Sequence, residues 1–312
     1  MIGIGRSEIF LKSLRHLSSK GYSIQLIITD EPYNEYNCGI DKFREFADEV
    51  GSEIVVTKKI DVKLFDKILN KRQEIVISVN WKYMLTKEII SLFNGNVLNF
   101  HLGNLPDYKG NATINWSILN GETYIYANVH KMVSKVDSGD IIARRKIRIS
   151  EETYVAFILK EAEDLAPILF ESAIRKITRD GKYFLIKGTE KGIRCYPRLP
   201  EDANIYWNEK AEQICRLIRA SSKPFEGAYT FFHGRKIIIW KAQYLKNHPK
   251  VYAVPGSIVK INKNENYIDV ATGDGLIRIG EIFYYNEKDE IISDPSLLTN
   301  SIRSRLTSII SI

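Results

Sequence analysis

Short apolar runs alternate with amphipathic stretches through the first hundred residues. Residues 2–4 are apolar, Ile9, Phe10, Leu14 and Leu17 recur at helical spacing across 7–19, and IQLIIT at 24–29 is continuously apolar. The alternation predicts a helix over 42–50, a strand over 53–56 and a helix over 61–69 with Asp61 as its N-cap. A strand over 74–78, a helix over 86–93 and a strand over 97–100 follow. Strands apolar on both faces and separated by single helices predict a parallel sheet covered on both sides, a doubly wound α/β domain.

After a long helical stretch over 151–177 the pattern changes. One more helix is expected over 208–220, and then AYTFF, KIIIWKAQYL, GSIVKI, YIDVAT and LIRIGEIFYY follow one another. Turn residues at His233-Gly234, Lys263-Asn264 and Gly273-Asp274-Gly275 separate them. Short strands joined by tight turns predict a small β-barrel or open sheet, with the domain boundary within 180–205.

Composition narrows the class. At 44% apolar and 27% charged over 312 residues the chain is globular in type. No apolar run approaches the ~18 residues needed to span a bilayer, so no membrane partner is expected. Arg6, Glu8 and Lys12 interrupt the N-terminal stretch where a signal peptide needs apolar residues, and a cytoplasmic location is the expectation. Cys38, Cys195 and Cys215 form no C-x-x-C, which argues for buried thiols and against a disulfide framework or a metal site. The net charge of +7 is concentrated: residues 181–250 carry 14 Lys/Arg against 6 Asp/Glu, while residues 1–180 carry 25 against 24. Such a segment suits the phosphates of a nucleotide or an RNA, and equally a solvated face.

Doubly wound sheets bind ligands beyond the carboxyl ends of their strands, which points to 30–41, 79–84 and 101–111. Gly3 and Gly5 make a G-x-G without a third glycine, a pattern better read as tight packing than as a dinucleotide turn. The densest polar cluster is VLNFHLGNLPDYKGNATINW. Asn99 and His101, two apart on a strand, share a face, and Gly103, Asn104, Pro106 and Gly110 follow in a turn-rich loop. Asp137 stands 36 residues after His101 in KVDSGDII. Together they supply a titratable base, an amide donor for a developing oxyanion and a carboxylate to orient the imidazole.

Asn99-Phe100-His101, Leu105-Pro106-Asp107-Tyr108-Lys109-Gly110, Trp116-Ser117-Ile118, Asn120-Gly121-Glu122 and Asp137-Ser138-Gly139-Asp140-Ile141 resemble the signature of the 10-formyltetrahydrofolate-dependent formyltransferases. Arg198-Leu199-Pro200-Glu201-Asp202, Ile205, Trp207, Ile218-Arg219-Ala220, Pro224, Gly227 and Ala228 resemble the linker and C-terminal domain of the methionyl-tRNA and amino-sugar members. The length fits neither the short glycinamide ribonucleotide members nor the longer fused dehydrogenases. The resemblance implies a Rossmann-like catalytic domain with linker over 1–200 and an OB-like β-barrel domain over 205–312. It implies 10-formyltetrahydrofolate as formyl donor, its pterin against Tyr83, Met84 and Leu85 and against Met132, Ser134 and Asp137. His101 is then the general base, Asp137 orients it and Asn99 donates to the oxyanion. Gly103-Asn104-Leu105, Lys109 and Thr113 depart from the family's usual Ser-Leu-Leu, Arg and Pro, and these departures bear on the acceptor, for which Lys109, Gly110 and Asn111 are the candidate contacts.

A nucleotide-linked amino sugar is the expected acceptor, with the charged initiator tRNA next and a carrier-bound amino acid third. A noncatalytic binding module is disfavoured by the intact Asn99, His101 and Asp137. The stretch DEPYNEYNCGID at 30–41, with four acids and no Lys or Arg, would repel a polyanion and disfavours tRNA. A homodimer is allowed.

Overall fold

The computed structural model describes residues 1–31, 38–65, 74–179, 184–285, 291–293 and 301–308. The chain divides into two compact units, one of residues 1–114, 123–148 and 157–196, the other of 115–122, 149–156 and 197–312. The second unit thus takes in two short segments besides the C-terminal stretch.

In the first unit β1 (Ile2–Gly5) leads into α1 (Glu8–Ser19), whose N-cap Ser7 accepts from the Phe10 N–H at 3.4 Å. Then come β2 (Leu26–Thr29), α2 (Ile40–Val50), β3 (Glu53–Val56) and β4 (Val76–Val79). Asp61 caps as expected, its carboxylate accepting from the Lys63 N–H at 3.0 Å, and opens a 3₁₀ turn over Val62–Phe65. The rest of the helix expected to 69 lies outside the described residues. Next are α3 (Lys87–Leu92) capped by Thr86, β5 (Val97–Leu102), β6 (Lys109–Gly110), α4 (Thr113–Leu119), β7 (Tyr124–Lys131), β8 (Ile141–Arg148), α5 (Val155–Arg179) and β9 (Arg194–Cys195).

The main sheet has the order β3-β2-β1-β4-β5-β7-β8. Its first five strands are parallel, whereas β7 and β8 run antiparallel, so the sheet is mixed. For the β7–β8 pair the cause is the connection over 132–140, which is too short for the crossover that a parallel pair needs. Strand order reverses between β1 and β4, where such folds open a crevice beyond the strand ends. Gly5 is needed for close approach: a Cβ there would stand 2.4 Å from the Val79 carbonyl oxygen. That is the packing role expected of it.

The second unit holds α6 (Ala211–Ser221), β10 (Ala228–Phe232), β11 (Arg235–Tyr244), β12 (Ile258–Asn262), β13 (Tyr267–Ala271), β14 (Leu276–Tyr285) and β15 (Ile291–Ser293). Their antiparallel sheet runs β10-β11-β14-β13-β12, with β15 on β14. Residues 304–307 bridge its two ends, Phe231 exchanging backbone hydrogen bonds with Thr307 at 2.8 Å and Leu306 donating to Gly256 at 2.8 Å. The sheet therefore closes on itself, and α6 contributes Ile214, Cys215 and Ile218 to a core shared with Ile237, Ile268, Ile277 and Leu306. All three cysteines are buried and unbridged. Burial pushes the Cys38 thiol up to about 11 and Cys215 up to about 12, which keeps both protonated and inert. Among the described residues no helix is long and apolar enough to cross a membrane.

Candidate active site

β5 carries Asn99 and His101 to its carboxyl end on one face, and its antiparallel neighbour β7 sets His130 opposite Asn99 and Asn128 opposite His101. Asn128, fully buried, fastens this end of the sheet by donating from Nδ2 to the carbonyls of His101 at 3.1 Å and Gly103 at 2.8 Å. Asp137 lies in the connection from β7 to β8 with a left-handed backbone, φ 45°. A non-glycine residue held there is strained, and Tyr108 on the facing loop, φ 57°, is held likewise.

The three residues expected from the sequence meet. Asp137 Oδ2 is 3.4 Å from His101 Nδ1 and accepts the Gly110 N–H at 2.8 Å. Asp137 Oδ1 accepts from Asn99 Nδ2 at 3.4 Å and stands 3.3 Å from His130 Nε2. His101 Nε2 is 2.7 Å from the Tyr108 carbonyl oxygen, which can only accept, so this nitrogen carries the proton and the lone pair of the neutral ring sits on Nδ1. The hydrogen bond that fixes the imidazole therefore goes to a backbone carbonyl, while the carboxylate faces the basic nitrogen.

Electrostatics follow from burial. His101 is 7% exposed, and burial pushes it below its ordinary value although the Asp137 carboxylate pulls it partway back. Burial also pushes the Asp137 carboxyl up, but the charge of His101, hydrogen bonding and charge from His130 and the Gly110 N–H together hold it well below the usual carboxylate range. At neutral pH the site thus pairs an ionised carboxylate with a neutral imidazole. It can accept a proton at Nδ1, stabilise the imidazolium that results and present an amide N–H beside it.

The remaining candidates scatter. Leu85 is buried in the core under β1 and β4, with Trp81 and Met132 packed against the same cluster. Met84 is 59% exposed and Ser134 is exposed. Tyr83 turns toward β2, its hydroxyl donating to Asp30 Oδ2 at 3.2 Å, with Lys82 3.8 Å from the same oxygen. Lys109 is buried, its ammonium donating to the Thr189 carbonyl and, at 2.7 Å, to that of Lys191. Gly110 spends its N–H on Asp137, and Asn111 is exposed, its N–H on the Cys195 carbonyl at 3.1 Å.

Two residues enter that the sequence reading did not single out. His130 becomes legible only through the β5–β7 register. Arg6, 3% exposed, donates to the carbonyls of Asn80 at 3.1 Å and Glu31 at 3.2 Å and so ties together the ends of β1, β2 and β4. Its signal was a cation directly after an apolar strand. Among the described residues no group of His, Cys, Asp and Glu is arranged to hold a metal ion.

Residues 23–174 match the model of the formyl transferase family, and residues 199–292 match the model of the formyl transferase C-terminal domain. Among solved structures, WlaRD, a sugar 3N-formyl transferase solved in the presence of dTDP and 5-N-formyl-THF, is 19% identical with a TM-score of 0.65, covering 92% of this chain and 98% of that one. The N-formyltransferase from Helicobacter canadensis, in complex with folinic acid and dTDP-3-aminofucose, is 16% identical with a TM-score of 0.63, covering 89% and 97%. HypX from Aquifex aeolicus in complex with tetrahydrofolic acid is 16% identical with a TM-score of 0.60, covering 89% and 47%. The chain thus spans about half the length of the HypX structures it matches. At these identities the likenesses establish the fold.

Proposed function

We infer, because this chain belongs to the formyl transferase family, that it moves a formyl group from 10-formyltetrahydrofolate to the primary amine of a nucleotide-linked amino sugar. The observation that carries the reading is the buried cluster of Asn99, His101 and Asp137 at the end of β5, inside the region matched to the family. When bound, the folate supplies the formyl group at the oxidation level of a carboxylic acid. The residues present suit such a heterocycle. Met132, partly buried against the core that holds Leu85, offers apolar surface, and the buried indole N–H of Trp81 against the same core has no hydrogen-bond partner, as a donor reserved for a ligand acceptor would.

His101 takes the proton of the attacking amine at Nδ1, because Nε2 is committed to Tyr108, and would return it to the folate nitrogen that leaves as its bond to the formyl carbon breaks. Asp137, ionised and 3.4 Å away, stabilises the imidazolium so formed. Asn99 Nδ2 donates to the oxygen that gains negative charge, exchanging its long 3.4 Å contact with Asp137 for a shorter one. The nucleotide-linked acceptor is supported by the likeness to WlaRD and to the Helicobacter canadensis enzyme, which span nearly the same length as this chain. The domain division goes with the reading, the chemistry lying in residues 1–200 and the second domain in 205–312. So do a cytoplasmic location and a homodimer, which fractionation and light scattering test.

Incubation of the purified protein with 10-formyltetrahydrofolate and a panel of nucleotide-linked amino sugars, read by mass spectrometry, tests the reading. Formylation of at least one member, abolished in His101→Ala, is the expected result. One observation favours methionyl-tRNA as a second acceptor, the excess of 14 basic over 6 acidic residues in 181–250, and the tRNA belongs in the same panel.

A further inference from the structure

The segment that follows α5 wraps the two loops holding the candidate site. Ile186 and Ile141 exchange backbone hydrogen bonds at 2.9 and 3.1 Å, and Asp140 takes the Gly188 N–H at 2.8 Å and the Lys187 ammonium at 2.9 Å. These contacts anchor the segment to the loop of Asp137. A second set anchors it to the loop of Tyr108 and Gly110: β6 and β9 pair in parallel, the Lys109 N–H donates to Ile193 at 3.0 Å, and the Ile193 N–H donates to Asp107 Oδ1 at 2.8 Å. There is no slack in the fit. A Cβ on Gly188 would lie 2.2 Å from the Ser138 carbonyl oxygen, and one on Gly192 would lie 2.2 Å from that of Pro106.

Lys109 stands at the centre of this strap. Its side chain, 4% exposed, reaches the carbonyls of Thr189 and Lys191, and its own carbonyl carbon is bonded to the Gly110 nitrogen whose N–H holds Asp137 at 2.8 Å. A buried ammonium is costly unless hydrogen-bonded, so these two carbonyls are needed where they are. We propose that Lys109 is a positioning residue: by clamping the 186–195 strap onto the 105–111 loop it fixes the Gly110 N–H on Asp137, and through Asp137 the reactive geometry of His101. The proposal rests on the formyl-transfer reading for its kinetic consequence, but its structural consequence is measurable without substrate. It gives residues 186–195, which the sequence offered only as linker and basic stretch, a part in the chemistry.

Lys109→Met removes the ammonium and keeps most of the side chain's length, and Lys109→Arg keeps a donor for two carbonyls. Amide hydrogen exchange at Gly110, followed by NMR on the full chain, should speed by about 10-fold or more in Lys109→Met and stay near wild type in Lys109→Arg. In formyl transfer kcat should fall about 10- to 100-fold in Lys109→Met, with KM for donor and acceptor little changed, and Lys109→Arg should restore it. Asp140→Asn, which loosens the strap's other anchor, should move both readouts the same way by less, and it carries the test if Lys109→Met does not fold. Unchanged Gly110 exchange in a folded Lys109→Met or in Asp140→Asn overturns the proposal. Wild-type protein that formylates no acceptor overturns the formyl-transfer reading instead, and leaves the exchange measurement standing.

Discussion

At the scale of single residues the site depends on which nitrogen of His101 is free. With Nε2 donating to Tyr108 at 2.7 Å, the proposed proton transfer uses Nδ1, so His101→Ala and Asn99→Ala should each lower turnover by about 100-fold or more, measured on a verified acceptor. Burial holds His101 below its ordinary value, so below about pH 6.5 the unfolded chain binds a proton that the folded ring refuses. Stability should therefore fall as pH drops through that region. Urea midpoints at about pH 7.5 and about pH 5.5 should differ more in the wild type than in His101→Gln, and equal differences would remove His101 from this account. The meeting of Asn99, His101 and Asp137 was legible in the sequence because their types and intervals match the formyltransferase signature they resemble. The burial of Lys109 was not legible because one of its partners, the Thr189 carbonyl, lies 80 residues away, beyond any local pattern.

At the scale of elements, periodicity gave the alternation of the first unit and the strands of the second, and it failed where distant groups set the ends. The helix expected from 151 begins at Val155 because Ser150 and Thr153 hold a turn, the Ser150 N–H on Thr153 Oγ1 at 2.9 Å. The helix expected from 208 begins at Ala211, whose N–H is taken at 2.8 Å by Asp274. That cap arrives from a turn much later in the chain. A barrel was expected, but the segment that closes it was equally hidden, since residues 301–308 show no strand pattern and act through Leu306, 1% exposed. Leu306→Ala should cost about 2–5 kcal/mol of that unit's stability in denaturant titration, the range for a buried leucine, and a cost near zero would mean the closure is not part of its core. Gly5→Ala, which drives a Cβ to 2.4 Å from Val79 O, should cost about 1–3 kcal/mol by overpacking.

At the scale of the whole molecule, charge and topology bear on what the protein acts on. Of the four acids in 30–41, Asp30 is buried and partnered by Tyr83 and Lys82, so the loop repels phosphate less than its composition suggests. Nothing basic in that loop offsets this, and tRNA binding is expected to be weak and steeply salt-dependent. The second unit also draws on residues 115–122 and 149–156, with Asn115 donating to the Ala220 carbonyl at 2.7 Å and Lys246 paired with Glu151 at 2.6 Å. A fragment of 197–312 alone should therefore melt at a lower temperature than the same unit within the full chain. The most direct test of the central claim is transfer itself: purified full-length protein, 10-formyltetrahydrofolate and a panel holding nucleotide-linked amino sugars and methionyl-tRNA, with products read by mass spectrometry. An amino sugar is expected to gain a formyl group, in wild type and not in His101→Ala. Efficient formylation of methionyl-tRNA at physiological salt with no turnover across the sugar panel would contradict it.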